Sequence, residues 1–263
     1  MPAKDVRIHA VVNQKGGVAK TTTAVNLAAA LAATGRRSLL VDLDPQGNAS
    51  TGLGVGPNRR RMGAWDLMLA GAGVGDAALG TAIAGFDLVP ATERLFGAEL
   101  ELAGASSRET RLRKALKDAG GLYDYVLIDC PPSLGLLTVN ALTAAGRVLV
   151  PLQAEFLALE GLVLLKQTVE AVRGALNPNL VYAGILLTMS DRRNRLAAEV
   201  EADVRGHPEF GRLVYDTVIP RNVRVSEAPS HGKPVIVYDM KASGSQAYIR
   251  FAGEFLRREE GAT

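Results

Sequence analysis

The stretch NQKGGVAKTTT, residues 13–23, constrains the fold more than any other part of this sequence. It joins an apolar run, Ile8–Val12, to an Ala- and Leu-rich segment, Lys20–Ala33. This order predicts a strand, a loop and a helix that ends near Gly35. A glycine-containing loop at this place directs backbone N–H groups and the positive end of the helix dipole towards one point. The sequence therefore predicts a cradle for a phosphate group.

The loop does not follow the usual phosphate-loop rule G-x-x-x-x-G-K-[ST], because Gln14 and Ala19 stand where that rule has glycine. Lys20 and Thr21 nevertheless occupy the positions from which a lysine reaches the β- and γ-phosphates and a hydroxyl binds Mg²⁺. A plain turn with a solvated lysine is the alternative interpretation of the loop considered alone. The residues that follow the other strands decide between a phosphate-binding loop and a plain turn.

Short apolar runs rich in Val, Ile and Leu alternate with longer segments of helical periodicity. That alternation predicts an α/β fold with one doubly wound, mostly parallel sheet and helices on both faces. Residues 54–85 are rich in Gly and Ala and are predicted to be a surface excursion with short helices. The predicted strands are Ile8–Val12, Ser38–Asp42, Asp87–Val89, Tyr125–Ile128, Arg147–Val150, Val181–Leu187 and Leu213–Ile219. Further helices are predicted at Leu134–Ala145, Leu157–Leu176, Arg195–Arg205 and Ser243–Arg258.

Composition excludes several other classes of protein. The 263 residues are 48% hydrophobic and 22% charged, as in soluble globular proteins. No apolar run approaches the roughly 20 residues that span a bilayer or resembles a signal peptide. The single cysteine, Cys130, is too few for an internal disulfide or a cysteine-based metal site, which fits a cytoplasmic protein. A net charge of +3 is too small to indicate a nucleic-acid partner by itself.

Three aspartates stand at the ends of strands that are predicted to be buried. Asp42 and Asp44 close the run LLVDLD, and Asp129 closes the run VLID. An unpaired carboxylate there is costly, so each needs a cation or strong hydrogen-bond donors. Ligands bind at the carboxyl edge of such sheets, so the aspartates favour a Mg²⁺ site beside the phosphate loop. Each aspartate alone is equally consistent with a helix cap or a turn.

Five blocks of the sequence together resemble the ParA/Soj family of chromosome- and plasmid-partitioning ATPases, part of the class that contains MinD. The blocks are KGGVAKTT, VDLDPQGN, IDCPPSLGLLT, VPLQAEFLALEGL and IPRNVRVSEAPSHGKPV. The resemblance extends from Ile8 to about Leu256. It implies a deviant Walker A P-loop ATPase that uses ATP and Mg²⁺ and releases ADP and phosphate. The family loop, K-G-G-x-x-K-[ST], is matched by Lys15, Gly16, Gly17, Lys20 and Thr21.

The resemblance also implies roles for individual residues. Lys15 is expected to reach the ATP of a second subunit in an ATP-dependent sandwich dimer, comparable to an arginine finger. Asp44 is expected to orient the attacking water, so Lys15, Lys20 and Asp44 are the expected catalytic residues. The implied Mg²⁺ ligands are Thr21, Asp44 and Asp129. The implied ATP-binding residues are Lys15, Gly16, Gly17, Val18, Ala19, Lys20, Thr21, Thr22, Glu155, Met189 and Pro220.

Arginines occur in two local basic patches, around residues 192–195 and at Arg221 and Arg224. Each phosphate that such a patch neutralises adds salt-sensitive, sequence-independent affinity for a nucleic acid. A solvated helix face with nearby carboxylates is the alternative. In the ParA/Soj family, arginines of the corresponding blocks bind double-stranded DNA non-specifically in the dimer. The resemblance therefore implies DNA contacts at Arg193, Arg221 and Arg224, and a ParB-type centromere-binding protein as the partner that stimulates hydrolysis.

A MinD-like, membrane-associated positioning ATPase is the main alternative, and it would need a basic amphipathic helix at the C-terminus. The helix predicted at Ser243–Arg258 has an apolar stripe and is followed by EEGAT, which favours docking on the sheet instead. A reductase-type relative would need more cysteines, whereas a non-catalytic, nucleotide-dependent DNA scaffold is left open. We expect residues 1–263 to form a single P-loop ATPase domain in the cytoplasm, associated with the nucleoid and without an N-terminal DNA-binding extension.

Overall fold

The computed structural model describes residues 6–191 and 194–261, and its centre is a seven-stranded sheet. The strands are β1 Arg7–Val11, β2 Ser38–Asp42, β3 Leu79–Gly80, β4 Phe86–Val89, β5 Tyr125–Asp129, β6 Arg147–Gln153 and β7 Val181–Thr188. They lie in the order β3-β4-β2-β5-β1-β6-β7. All neighbours are parallel except β3 and β4, which pair antiparallel. The predicted α/β fold with a mostly parallel sheet is confirmed.

Helices of very different length connect these strands. Their bounds are α1 Lys20–Ala33, α2 Asn48–Gly52, α3 Val74–Ala77, α4 Ala98–Ala103, α5 Arg111–Ala115, α6 Leu136–Ala144, α7 Ala158–Ala175, α8 Arg195–Gly206, α9 Val223–Glu227, α10 Val235–Tyr238 and α11 Ser243–Glu260. Turns of 3₁₀-helix lie at Pro57–Arg59, Glu93–Gly97, Leu116–Gly121, Gly211–Leu213 and Ala228–His231, and a π-helical turn at Asp66–Ala70. No helix in the described ranges is long and apolar enough to cross a membrane.

Strands β2 and β5 are buried along their whole length because both faces of the sheet are covered. In β2, Leu39 and Val41 belong to one hydrophobic core while Leu40 belongs to the other, as the alternation of side chains in a strand requires. The first core contains α6 and α7 side chains, and the second contains those of α1 and α11. The sheet is therefore packed on both faces, and its parallel strands β1, β2 and β5 have their carboxyl ends at the same edge.

The strand predicted at Leu213–Ile219 is wrong. The segment runs beside β7 without joining the sheet as a strand. Isolated bridges join Ile185 with Val214 and, just beyond β7, Ser190 with Pro220, and the N–H groups of residues 215 and 219 donate to the carbonyls of Ile185 and Leu187, each at 2.9 Å. Between them, the carboxylate of Glu254 in α11 accepts the backbone N–H groups of residues 216 and 217, at 2.8 and 2.9 Å. Because those N–H groups are bound to a side chain, they cannot form a regular ladder with the neighbouring strand.

Residues 54–85 are only in part the predicted surface excursion. The short helices are present, but Ala64, Trp65, Leu67 and Met68 are buried against the first core. The C-terminal helix agrees with its prediction, since α11 buries its apolar stripe against the sheet. The fully buried side chains of that stripe include Ala247, Tyr248, Phe251 and Phe255.

Candidate nucleotide-binding site

The loop between β1 and α1 contains two residues in the left-handed region of backbone space. Gly17 has φ +74° and Ala19, which caps α1, has φ +63°. Glycine adopts this conformation freely, whereas another residue pays on the order of 1 kcal/mol. The position to which the usual phosphate-loop rule assigns glycine is thus occupied here by an alanine in a glycine-like conformation, and the loop carries backbone strain where the helix begins.

Two buried polar side chains fix this loop to the sheet. Asn13 Nδ2 donates to the carbonyl of Pro151 in β6 at 2.8 Å, and Asn13 Oδ1 accepts from Lys15 N at 3.0 Å. Thr188, at the end of β7, donates its hydroxyl to the carbonyl of Val18 at 3.1 Å. Sequence reasoning missed Asn13 and Thr188 as loop anchors, although both are polar residues at a strand end, which is the signal that could have found them.

Lys20 lies in the first turn of α1, with 7% of its surface exposed. Its Nζ donates to the carbonyl of Lys15 at 3.0 Å, so the amine lies within the curl of the loop. Burial lowers the pKa of Lys20, and the nearby carboxylates of Asp129 and Asp44 oppose that shift. The amine is therefore a desolvated cation donor in the position where a phosphate would bind.

Asp129, the last residue of β5, is completely buried. Neither of its carboxylate oxygens has a hydrogen-bond partner in residues 6–191 and 194–261. Burial raises the pKa of Asp129 well above its usual value, and the charge of Asp42 adds to this effect, while Thr21 and Lys20 oppose it. A buried carboxylate in this condition is a ready acceptor for a cation.

The residues predicted to bind Mg²⁺ fit that ion. Thr21 and Asp44 line one cleft, and Asp129 is buried close enough to Lys20 and Asp44 for their charges to interact. Together they offer one hydroxyl and two carboxylates, and Mg²⁺ commonly takes one or two carboxylates and completes its shell with phosphates and water.

Asp42 and Asp44 have different environments although they are two residues apart. Asp42 is fully buried, and its Oδ2 accepts from Ser50 N at 2.8 Å and from Ser50 Oγ at 2.6 Å. Burial raises the pKa of Asp42 to about 6, and the bonds from Ser50 oppose that shift. Asp44 instead lines the cleft, where its Oδ1 accepts from Gln46 N at 3.0 Å. Asp42 therefore holds α2, and Asp44 is the carboxylate available for chemistry.

The cleft above these groups has a volume of about 680 Å³, which suits a nucleotide. The lining also includes polar residues that the sequence analysis did not predict, because each of them alone is an ordinary polar residue. They are Asn48 and Thr51 of α2, and Asn222 and Ser226 after β7. The predicted ATP-binding residues in its lining are Gly16, Gly17, Ala19, Lys20, Thr21, Thr22, Met189 and Pro220. Val18 is buried behind the loop and contributes the carbonyl that Thr188 binds.

Lys15 and Glu155 form an ion pair at the rim of the site. Both side chains are nearly half exposed, at 47% and 44%, and neither residue belongs to the lining of the cleft within the described ranges. Glu155 instead lines an adjoining cavity of about 290 Å³ together with Met189 and Arg221. The loop thus turns its first lysine outward to solvent and its second lysine inward.

The predicted DNA-binding arginines lie in unequal surroundings. Arg221 lines the cleft, the adjoining cavity and a third groove that Arg250 also lines. Arg224 is about half exposed and pairs with Glu227 at 2.9 Å and with Asp239 at 3.5 Å. Arg193 lies outside the described residues. Between residues that the structure describes, no ion pair includes Arg221, so it is the freer of the two described cations.

Known proteins similar to this chain match it along nearly its whole length. A family model described as an AAA domain matches residues 6–182. The chromosome partitioning protein ParA of Caulobacter vibrioides is 58% identical over 261 residues, covering 98% of this chain and 97% of that protein. The sporulation initiation inhibitor protein Soj of Bacillus subtilis is 51% identical over 248 residues, covering 94% and 97%.

Solved structures give the same result for the fold. A cobyrinic acid a,c-diamide synthase from Mycobacterium smegmatis, with bound ADP and magnesium, superposes with a TM-score of 0.85 at 39% identity and covers 98% of this chain and 97% of its own. The septum site-determining protein MinD from Pyrococcus horikoshii, complexed with Mg-ADP, has a TM-score of 0.75 at 26% identity, covering 95% and 96%. The similarity is therefore one of the whole fold and not of the phosphate loop alone.

Proposed function

This chain belongs to the ParA/Soj family of chromosome-partitioning ATPases, and we propose that it couples ATP hydrolysis to reversible, sequence-independent binding of DNA. Its cofactors are ATP and Mg²⁺, and its reaction yields ADP and phosphate. The observation that carries the chemistry is the buried Asp129, whose oxygens lack a hydrogen-bond partner in the described ranges, beside the desolvated Lys20. Each of these buried charges is satisfied when a magnesium nucleotide supplies its counterpart.

Within one subunit, the residues of the cleft have separate roles in phosphoryl transfer. Lys20 binds the β- and γ-phosphates, and Thr21, Asp44 and Asp129 hold Mg²⁺, which when bound neutralises charge on the phosphates. Asp44 orients the attacking water, because the N–H of Gln46 fixes one of its oxygens while the residue faces the cleft. Catalysis then consists of positioning and electrostatic stabilisation rather than covalent chemistry.

The outward position of Lys15 supports a proposed ATP-dependent dimer. Its ammonium group is bound to an exposed carboxylate of its own chain instead of its own cleft, so a second subunit can receive it at low cost. We propose that Lys15 contacts the phosphates of the partner's ATP in a sandwich dimer. The nucleotide then stabilises the dimer, and hydrolysis removes part of that stabilisation.

DNA binding is proposed at the edge of the same site. Arg221 borders the cleft and has no carboxylate partner in the described ranges, so it can bind a phosphate of the DNA backbone beside the nucleotide. Arg193 is proposed as a second contact, and Arg224 contributes less because Glu227 and Asp239 already neutralise it. The dimer doubles the patch, which explains why DNA binding would need ATP.

The partner and the location complete the proposal. A ParB-type centromere-binding protein stimulates hydrolysis and thereby releases the dimer from the nucleoid, so that the cargo moves along a gradient of bound ATPase. One P-loop domain is proposed to carry all of these steps. The apolar stripe of α11 is buried in the second core, which disfavours the membrane-associated alternative, because that stripe is not free to enter a lipid surface.

A DNA-binding assay with ATP, ADP and no nucleotide tests the proposal. We expect binding to double-stranded DNA of unrelated sequences with ATP only, and no binding to anionic lipid vesicles. Arg221→Glu should weaken DNA binding by on the order of tenfold at moderate salt and reduce the salt dependence, whereas Arg224→Glu, the matched control, should have a smaller effect. Nucleotide-independent DNA binding, or vesicle binding with ATP, would contradict the proposal.

A further inference from the structure

The run Arg59-Arg60-Arg61 has no role in the function proposed above. Its three residues are chemically identical, but only the outer two are exposed. Arg60 is turned towards the protein, and all three of its guanidinium nitrogens form hydrogen bonds. Nη2 donates to Thr51 Oγ1 at 2.7 Å, Nε to the carbonyl of Val55 at 2.9 Å and Nη1 to the carbonyl of Ala91 at 3.4 Å. Arg60 thus joins α2, the segment after it and the segment after β4.

The same guanidinium lies against Gly47, the residue before α2. A Cβ atom built on Gly47 would lie only 2.6 Å from Arg60 Nη1, and Gly47 has φ +63°. Glycine is therefore favoured here by its conformation, and a larger residue would also have to displace the end of the arginine side chain. Gly47 belongs to the turn that carries Asp44, since Gly47 N donates to the carbonyl of Asp44 at 2.9 Å.

The turn is consequently held from two sides. On the inner side, Asp42 binds Ser50 of α2 through both its N–H and its hydroxyl. On the outer side, Arg60 binds Thr51 and packs on Gly47, and the charges of Arg60 and Asp42 attract one another. Arg60 is not among the residues that line the nucleotide cleft, so it acts on the cleft through Gly47 and through Thr51, which itself lines the cleft.

We propose that Arg60 is a positioning residue for ATP hydrolysis. By lying against Gly47 and donating to Thr51 it fixes the turn in which Asp44 faces the cleft, and its own side chain lies outside the lining of that cleft. This inference rests on the proposed role of Asp44 in orienting water. Because the attack geometry of water tolerates little displacement, loosening the turn should slow hydrolysis while leaving the phosphate loop, and hence ATP affinity, unchanged.

The test compares Arg60→Met with Arg59→Met and Arg61→Met, which remove the same charge from exposed neighbours. We expect Arg60→Met to lower kcat by on the order of 10-fold to 100-fold with a KM for ATP within about twofold of the wild type. Both control variants should retain wild-type kcat. Arg60→Lys should be intermediate, because one ammonium group cannot replace three guanidinium contacts, and it serves in place of Arg60→Met if that variant does not fold.

Two further measurements separate positioning from a general structural role. Hydrogen exchange of Gln46, Gly47 and Thr51 amides should accelerate in Arg60→Met but not in the controls. In an Asp44→Ala background, Arg60→Met should have little additional effect on residual turnover measured with radiolabelled ATP. An equal fold-loss in both backgrounds, a raised KM with unchanged kcat, or unchanged kcat in Arg60→Met would overturn the inference. If Asp44→Ala itself turns over normally, the proposed role of Asp44 fails instead.

Discussion

Lys20 and Lys15 stand five positions apart in one loop and have opposite surroundings. Lys20 is 7% exposed and its amine is bound inside the loop, near Asp129 and Asp44. The side chain of Lys15 is 47% exposed and is held by the carboxylate of Glu155 at the rim. The inner lysine has a complete binding site in a single chain. Among the described residues, the side chain of the outer lysine has only its ion pair with Glu155, which solvent and salt can replace.

The difference separates what one subunit does from what needs two. A buried cation beside carboxylates cannot change partner without exposing an unpaired charge, which is costly. An exposed ion pair contributes only about 0.2–1 kcal/mol, so a stronger partner readily displaces it. We therefore expect substitutions at the inner lysine to act on ATP binding and substitutions at the outer lysine to act on association.

Lys20→Ala should have the largest effect. We expect the affinity for ATP to fall by on the order of 100-fold or more, because the variant loses the charge-assisted bonds to the phosphates. Isothermal titration of the purified protein with ATP and Mg²⁺ measures the loss, and Lys15→Ala is its matched control in the same loop. Wild-type affinity in Lys20→Ala would contradict the assignment of this loop to the phosphates.

Lys15→Ala should leave ATP affinity of the monomer within about threefold of the wild type and abolish the ATP-dependent dimer. The reason is that the removed charge lies outside its own cleft and acts, as proposed, on the nucleotide of the partner. Sedimentation velocity with ATP and Mg²⁺, in an Asp44→Ala background to prevent turnover, measures the dimer. A normal ATP-dependent dimer of the variant would show that Lys15 has no role in trans.

Asp129→Asn tests the buried side of the comparison. Without Mg²⁺ and nucleotide, we expect the free energy of unfolding to rise by about 1 kcal/mol near neutral pH, because a buried carboxylate without a partner is removed. The pKa of Asp129 is raised in the folded protein above its ordinary 3.8. The wild type therefore gains stability as the pH falls through the folded pKa, and the advantage of the variant should disappear in acid.

Urea unfolding at several pH values, with EDTA present, checks this expectation. Added Mg²⁺ and ATP should reverse the order of stability, since the wild type gains a ligand that the amide binds poorly. A variant that is less stable than the wild type at neutral pH without Mg²⁺ would mean that Asp129 is satisfied by the protein itself.

Much of the fold and of the site could be predicted because it depends on local pattern. Apolar runs of three and four residues define β2 and β5, and the loop sequence between a strand and a helix defines the position of Lys20. The carboxylates that follow those strands meet at one edge because parallel strands end together. These features need no knowledge of the rest of the chain.

The remainder depends on contacts between distant residues. The strand expected at Leu213–Ile219 fails because Glu254, from the last helix, accepts two N–H groups in the middle of that segment, those of residues 216 and 217. The anchoring of the loop by Asn13 and Thr188 joins residues more than a hundred positions apart. Nothing in the run of arginines indicates which one turns inward, because that depends on where Thr51, Val55 and Ala91 lie in the folded chain.

Glu155→Gln should have the smallest effect on ATP-dependent dimerisation, and it tests the ion pair at the rim of the site directly. The variant removes the charge that holds Lys15 in its own chain, so the lysine becomes free while the side chain keeps its size. If the ion pair is a weak, exposed one, the dissociation constant of the ATP-dependent dimer should change by no more than about fivefold, the equivalent of about 1 kcal/mol. A loss comparable to that of Lys15→Ala would instead mean that Glu155 contacts the nucleotide or the second subunit in the dimer. The same sedimentation experiment at low and high salt distinguishes these two cases. Salt should screen an exposed ion pair, whereas it should leave a contact that is buried in the dimer largely unchanged.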